Sequence, residues 1–535
     1  MNFNPHHSPY PSARNVTYAK NGMVATSQPL AAQAGLDILK QGGNAVDAAI
    51  ATAACLTVVE PTSNGIGGDA FAIVWMKGEI HGLNSSGPAP ASISIDAVKN
   101  AGYETMPKMG WLPVTVPGVP AAWAELSKRF GALTLAECLE PAIEYARDGF
   151  AVSPAVAKYW DIALKSYAKQ DGKEFYPFFD TFAPGGHAPK AGDIAKLPGH
   201  ANTLEEIGDT LAQSFYTGAL ADAIASYSAS TGGYLRKSDL AGFHPTWVAP
   251  ISTNYRGYDI WEMPPNGQGL VALIALNILK SYEPTHIDCV ESYHRQFEAI
   301  KLAFAAGKEF ITDPSHMQTS VASLLSDHYA VKLREQICET ALEPTPMAPN
   351  SGGTVYLSTA DAHGNMVSYI QSNYMGFGSG IVVPGTGIAL QNRGADFSLD
   401  PNHANALAGG KRSYHTIIPG FITKDRQAIG PFGVMGGYMQ PQGHIQVVQS
   451  CIDHGLNPQA ALDAPRWQWM TGKMFHVEHS FSRHIAQSLA ARGHSIQSTI
   501  DSGSFGRGQI IWRDPETGVL AGGTESRCDG AIAAW

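Results

Sequence analysis

From residue 28 to residue 60 the chain reads QPLAAQAGLDILKQGGNAVDAAIATAACLTVVE, with small and apolar positions recurring at helical spacing. Ala32 to Lys40 predicts a helix, Gly42 and Gly43 its stop, and Asn44 the N-cap of a second, Ala-rich helix ending near Glu60-Pro61. A strand pair is predicted in FAIVWMKGEIHGLNSSG, turning at Lys77-Gly78. Residues 118 to 345 read as mainly helical, through VPAAWAELSKRF, TLAECLEPAIEYARDGF, TLEEIGDTLAQSFYTGALADAIASYSAS and VESYHRQFEAIKLAFAAGKEFI. At 340 the periodicity stops: TALEPTPMAPNSGG predicts an exposed loop. A β-hairpin is predicted next, TVYLSTA and MVSYIQS around the turn DAHGN, then strands in GTGIALQN, HTIIPGFIT and QAIGPFGVM and a helix in GHIQVVQSCIDHGL. A β-rich final third beside a helical remainder implies layered helices and sheets, an α+β class.

Composition narrows the function classes. The 535 residues are 44% hydrophobic and 15% charged, which is globular, and a net charge of −10 over that length argues against a nucleic-acid groove. The N-terminal stretch lacks a secretory signal pattern and no apolar run reaches bilayer length, so a soluble, cytoplasmic protein is expected. Six scattered cysteines form no CxxC pair, and no metal or cofactor is expected. His6 and His7 read as part of a solvated tail.

Two glycine runs, SNGIGGDAFAIVW and GVMGGYMQPQGH, raise the question of a phosphate cradle. The dinucleotide motif needs a preceding strand, a following helix and a later acidic residue, whereas Gly65, Gly67 and Gly68 run straight into a strand pattern. The P-loop pattern is absent, so nucleotide binding is disfavoured.

The hairpin allows a geometric deduction. If Ala360 faces Met366 across the turn, counting back equally along both strands puts Thr354 opposite Ser372. A threonine that merely begins a strand accounts for this as well. The order loop, Gly352-Gly353, Thr354, strand is also that of a self-cleaving N-terminal-nucleophile hydrolase. There the Thr354 hydroxyl attacks the Gly353 carbonyl, and hydrolysis of the resulting ester frees the Thr354 amine. An α-amino group titrates near roughly 7.7–8.0, so it can serve as base for its own hydroxyl.

From about residue 18 onward the chain resembles the gamma-glutamyltransferase family, through NGMVATSQPLAAQAGLDILKQGGNAVDAAIA, TVVEPTSNGIGGDAFAIV, TVYLSTADAHGNMVSYIQSNYMGFGSGIVVPGTGI, NRGADFSL, KRSYHTIIP and GGYMQPQGHIQ. Within it the likeness is to a cytoplasmic branch without signal peptides. The resemblance implies the four-layer αββα sandwich of N-terminal-nucleophile hydrolases, with a large subunit 1–353 and a small subunit 354–535 intertwined as one domain after self-cleavage. It implies Thr354 as nucleophile, Ser372 as its supporting hydroxyl, Gly436 and Gly437 as the oxyanion hole, and Asp396 for the substrate α-amino group. Asn373 and Tyr374 are further substrate-binding candidates. The SNGIGGD run then becomes a scaffold turn beneath the site.

Substrate positions depart from the family pattern. LNSSGPAP, residues 83–90, lacks the family arginine that clamps the γ-glutamyl α-carboxylate. Arg393 stands where glutamine is usual and is either a replacement cation or a surface residue. His415 and Thr416 replace a serine pair; the histidine either binds a carboxylate or fills the pocket. The expectation is an amide hydrolase or acyltransferase for γ-glutamyl compounds, with water or an amine as acceptor. The alternatives are an acylase for another carboxylate-bearing amide, such as a glutaryl group, and an uncleaved binding relative.

Overall fold

The computed structural model describes residues 14–343 and 353–535. The tail with His6 and His7, and the 340–353 loop from 344 through Gly352, lie outside the described residues.

Two seven-stranded antiparallel sheets stack face to face. The first runs Ala531–Ala534, Gly22–Thr26, Gly353–Asp361, Met366–Tyr374, Asp69–Met76, Glu79–Ser85, Thr246–Val248. The second runs Thr17–Ala19, Leu520–Thr524, Arg507–Arg513, Gln427–Met435, Gly420–Lys424, Tyr258–Glu262, Ile251–Tyr255. Each half of the sequence supplies strands to both sheets, so the parts before and after residue 353 share one sandwich. Between the sheets lie Phe71, Ile73, Tyr356, Ile370, Phe421 and Ile511, all at or near zero exposure.

Helices close both outer faces, giving the αββα order. The predicted helical pair is Pro29–Lys40 and Ala45–Val59, the latter buried along its whole length against the first sheet. Asn44 caps it in a reciprocal box with Asp47, and Gly42 takes the left-handed φ of 99° that ends the first helix. On the second sheet lie Gly269–Leu279, Val290–Phe310 and Met439–Ile452.

Several predicted elements are corrected. The mainly helical span 118–345 also contains the strands Thr246–Val248, Ile251–Tyr255 and Tyr258–Glu262, which are short and lie at or next to sheet edges. GTGIALQN is not a strand: Gly385 and Gly387 turn it with φ of 74° and 71°, leaving isolated bridges Val382↔Ala389 and Gly67↔Leu390. HTIIPGFIT becomes a strand only at Gly420. Pro419 lacks an N–H for the ladder, and the residues before it bond elsewhere, His415 to Asn266 and Gln268 and Ile418 to the Gln440 side chain. The stretch 203–230 breaks at Leu211 and Ala212, both at positive φ, into Pro198–Asp209, Gln213–Tyr216 and Ala219–Ser230.

Candidate active site

The hairpin Gly353–Asp361 and Met366–Tyr374 holds the deduced register, with Ala360 paired to Met366 and Val355 to Gln371. At its open end the register slips by one, so that Gly353 faces Tyr374, whose φ is 74°. The slip converges three groups on one oxygen. Ser372 Oγ lies 3.1 Å from Thr354 Oγ1, donates to the Gly353 carbonyl at 2.6 Å, and accepts the Tyr374 N–H at 2.7 Å. A serine hydroxyl has one proton, and here it goes to the Gly353 carbonyl. The Thr354 hydroxyl is therefore the donor in the Thr354–Ser372 contact. Thr354 is 1% exposed and Ser372 fully buried.

Beneath this end lies the turn of Gly65, Gly67 and Gly68. A Cβ at Gly68 would stand 2.6 Å from the Ser372 carbonyl oxygen, and one at Gly67 2.3 Å from the Ala389 carbonyl oxygen. These glycines admit backbone, as a scaffold turn requires. The turn also receives Asn373, since a Cβ at Gly65 would stand 2.8 Å from its Nδ2. Asn373 thus packs against the scaffold turn, and both polar atoms of its side chain are buried without a hydrogen-bond partner among the described residues.

Gly436 and Gly437 follow the strand Gln427–Met435 at φ of 138° and 59°. Three residues earlier, Gly433 packs flat under the Tyr356 ring, which ties this strand to the one that begins beside Thr354. The two glycine carbonyls accept from Met439 and Gln440, while neither glycine N–H has a partner among the described residues. The Gln268 side-chain amide fixes the loop from below, donating to the carbonyls of Gly437 at 2.9 Å and Thr416 at 2.6 Å and accepting from the Tyr414 hydroxyl at 3.0 Å.

Arg393 and Asp396 share the short helical turn Arg393–Asp396. Arg393 is 1% exposed, so it is no surface arginine. Its guanidinium lies 4.0 Å from the Tyr374 ring centroid, and Nη1 donates to Thr416 Oγ1 at 2.8 Å. Its Nε and Nη2 are buried without a hydrogen-bond partner among the described residues. Asp396 Oδ1 accepts from the hydroxyls of Tyr374 at 2.8 Å and Tyr438 at 3.0 Å. Its Oδ2 accepts no hydrogen bond and lies 3.6 Å from Arg393 Nη1. Tyr374 therefore joins the two halves of the site, its N–H on Ser372 and its ring and hydroxyl on Arg393 and Asp396.

His415 is corrected too. Its Nε2 is 2.9 Å from Asp69 Oδ2 and its Nδ1 accepts the Ile417 N–H at 3.4 Å, so both ring nitrogens are engaged inside the protein. Burial, with Arg393 and Arg412 nearby, pushes its pKa well below the usual histidine value and keeps it neutral. Burial raises the Asp69 carboxyl to about 7, against the pull of Arg393 and donors from Gly87 and Gln391. The 83–90 segment, without its own arginine, receives one: Arg412 Nε donates to the Ser86 carbonyl at 2.9 Å.

Tyr438, Gln268, Asp69, Arg412 and Lys308, whose ammonium bonds the Tyr438 hydroxyl, were missed from sequence. Tyr438 directly follows the Gly-Gly pair, and Gln268 ends a Pro- and Gly-rich loop before an apolar helix; both signals were readable. Elsewhere, His294, Glu298 and His494 bring potential ligand atoms within 4.8 Å of one another. Lys301 Nζ, 2.6 Å from Glu298, already neutralises that carboxylate, and the group binds the backbone of Cys338 and Leu342.

Comparison with known proteins gives one direction. A family model described as gamma-glutamyltranspeptidase matches residues 31–535. The chain is 37% identical over 521 residues to the glutathione hydrolase-like YwrD proenzyme of Bacillus subtilis (strain 168), covering 95% of this chain and 97% of that protein. It is 34% identical over 530 residues to the oxamate amidohydrolase proenzyme of Klebsiella pneumoniae subsp. pneumoniae, covering 96% and 98%. A solved structure titled as a cephalosporin acylase from Bacillus halodurans matches with a TM-score of 0.96 and 63% identity, covering 100% of this chain and 99% of that one. With the αββα sandwich and a match over nearly all of its length, the chain belongs to the gamma-glutamyltranspeptidase family.

Proposed function

We propose that the chain is a self-processing amide hydrolase that cleaves itself between Gly353 and Thr354. It then carries the acyl group of its substrate on Thr354, and the acyl groups it takes end in a carboxylate, as γ-glutamyl and glutaryl groups do. The observation that carries this reading is three unsatisfied buried polar atoms on Arg393 and Asp396, which Tyr374 links to the Thr354 end of the hairpin. Nε and Nη2 form one edge of the Arg393 fork, suited to both oxygens of a carboxylate, and Asp396 Oδ2 stands next to it. Buried polar groups left unpaired are costly, and a bound head group satisfies them.

In processing, Thr354 Oγ1 bonds to the Gly353 carbonyl carbon as the Gly353–Thr354 C–N bond breaks and the Thr354 nitrogen gains a proton. The Ser372 hydroxyl, already on the Gly353 carbonyl oxygen, stabilises the negative charge that develops there. Water then hydrolyses the ester and leaves a free Thr354 amine. In turnover that amine takes the hydroxyl proton as Thr354 Oγ1 attacks the substrate amide, and the proton passes to the leaving amine. The free N–H groups of Gly436 and Gly437 serve the tetrahedral oxyanion, with Gln268 holding their loop in place. Water, or an acceptor amine, releases the acyl group.

For a γ-glutamyl head, Arg393 takes the α-carboxylate and Asp396 Oδ2 the α-ammonium. A glutaryl head uses Arg393 alone; the 63% identity to a structure titled as a cephalosporin acylase favours that second reading. Release of aniline from γ-glutamyl and glutaryl anilides distinguishes the two, and turnover of neither overturns the proposal.

Wild-type protein should yield fragments 1–353 and 354–535 by mass spectrometry, while Thr354→Ala stays intact and inactive; an intact chain that turns over substrate would refute the mechanism. Arg393→Gln should raise KM for carboxylate-bearing amides about tenfold or more, the loss of a charge-assisted contact of roughly 1.5–3 kcal/mol, and affect a carboxylate-free amide far less. Steady-state kinetics with a matched substrate pair reads this directly, and equal effects on both would make Arg393 structural. Gln268→Leu should lower kcat by about tenfold or more with KM little changed, because a displaced oxyanion loop harms the transition state more than the bound substrate. A change confined to KM would exclude that role.

A further inference from the structure

Lys308 sits in the last turn of the helix Val290–Phe310, and its ammonium lies 4.1 Å from the Tyr438 ring centroid and 4.5 Å from that of Tyr414. It donates to the Tyr438 hydroxyl. That hydroxyl has one proton, which it gives to Asp396 Oδ1 at 3.0 Å, so its oxygen is free to accept from Lys308. One tyrosine oxygen thus separates the ammonium from the carboxylate. Among the described residues Lys308 has no carboxylate within ion-pair distance; burial lowers its pKa, and the Asp396 charge opposes that shift.

The charges of the pocket can then be counted. Arg393 and Lys308 are the basic groups around Asp396, and the buried Asp69 that faces Arg393 is offset by Arg412, so with Lys308 protonated the pocket carries one positive charge in excess. A glutaryl head, a lone carboxylate, balances that excess. A γ-glutamyl head brings a carboxylate and an ammonium together and leaves the excess in place. Its ammonium must also approach Asp396 between two cations, Arg393 Nη1 at 3.6 Å from Oδ2 and Lys308 behind Oδ1. In a buried site with little water to screen it, such like-charge crowding is strongly felt.

We propose that Lys308 is a specificity-determining residue: acting through Tyr438 on Asp396, it disfavours acyl groups with an α-ammonium relative to otherwise identical groups without one. The inference rests on the reading of the Arg393–Asp396 pocket as the acyl-head site. Lys308 touches neither the scissile amide nor Thr354 in this scheme, and its effect is on selection of the head.

The test is the ratio of kcat/KM for γ-glutamyl anilide to that for glutaryl anilide. Lys308→Met should raise this ratio about tenfold, and Lys308→Arg, which keeps the charge, should hold it within about threefold of wild type. A Lys308→Met ratio within twofold of wild type, or lower, overturns the proposal, since a merely structural lysine alters both substrates alike. Wild-type enzyme supplies a second measurement that needs no variant: glutarate should inhibit at a concentration at least tenfold below L-glutamate, which differs from it only by the ammonium. Equal inhibition by the two also overturns the proposal. If wild-type enzyme turns over neither anilide, the acyl-head reading itself fails, a result distinct from turnover of both with an unmoved ratio.

Discussion

The Ser372 hydroxyl bonds at once to the Gly353 carbonyl, the Tyr374 N–H and the Thr354 hydroxyl, and this three-way contact constrains everything around it. At its open end the hairpin slips register by one residue, which moves Gly353 from beside Asn373 to beside Tyr374. The slip requires Tyr374 at a positive φ, which a bulky side chain adopts only when its surroundings impose it. Here they do, because the Tyr374 ring is pinned under Arg393 and its hydroxyl is held by Asp396. The Thr354–Ser372 contact and the Arg393–Asp396 turn are thus a single mechanical unit.

The glycines around that unit admit close backbone contact. Gly68 lets the scaffold turn approach the Ser372 carbonyl, and Gly433 lets the facing sheet approach Tyr356, two residues beyond Thr354. The Gly436–Gly437 loop follows a strand of one sheet, and Thr354 lies at the start of a strand of the other. Gln268 completes the arrangement from a third element, tying that loop to the Thr416 backbone.

Buried charge at the C-terminal end of the chain is arranged differently. Arg466 and Arg527 are also deeply buried, but Glu525, Glu478 and several backbone carbonyls engage them. Such a network locks the C-terminal strands to the sandwich and has no valency left for a ligand. Among the described residues Arg393 keeps two nitrogens and Asp396 one oxygen without a hydrogen-bond partner, while tyrosine hydroxyls engage the other Asp396 oxygen.

The sequence by itself determined the local elements and everything that depends on counting along one hairpin. The Asn44 cap, the Gly42 stop, the Lys77-Gly78 turn and the pairing of Ala360 with Met366 follow from short-range sterics and the twofold strand period. The meeting of Thr354 with Ser372 was therefore legible, and the family motifs added the Gly-Gly loop and Asp396. Tertiary structure alone decided which side chains point where once several distant segments converge. His415 was readable as a ligand until Asp69, far earlier in the chain, claimed its Nε2. Lys308 gives no local sign of function on its helix, since its meaning comes from a tyrosine 130 residues away. Neither propensity nor periodicity encodes such contacts, because both arise from neighbours along the chain, whereas a pocket is made by neighbours in space.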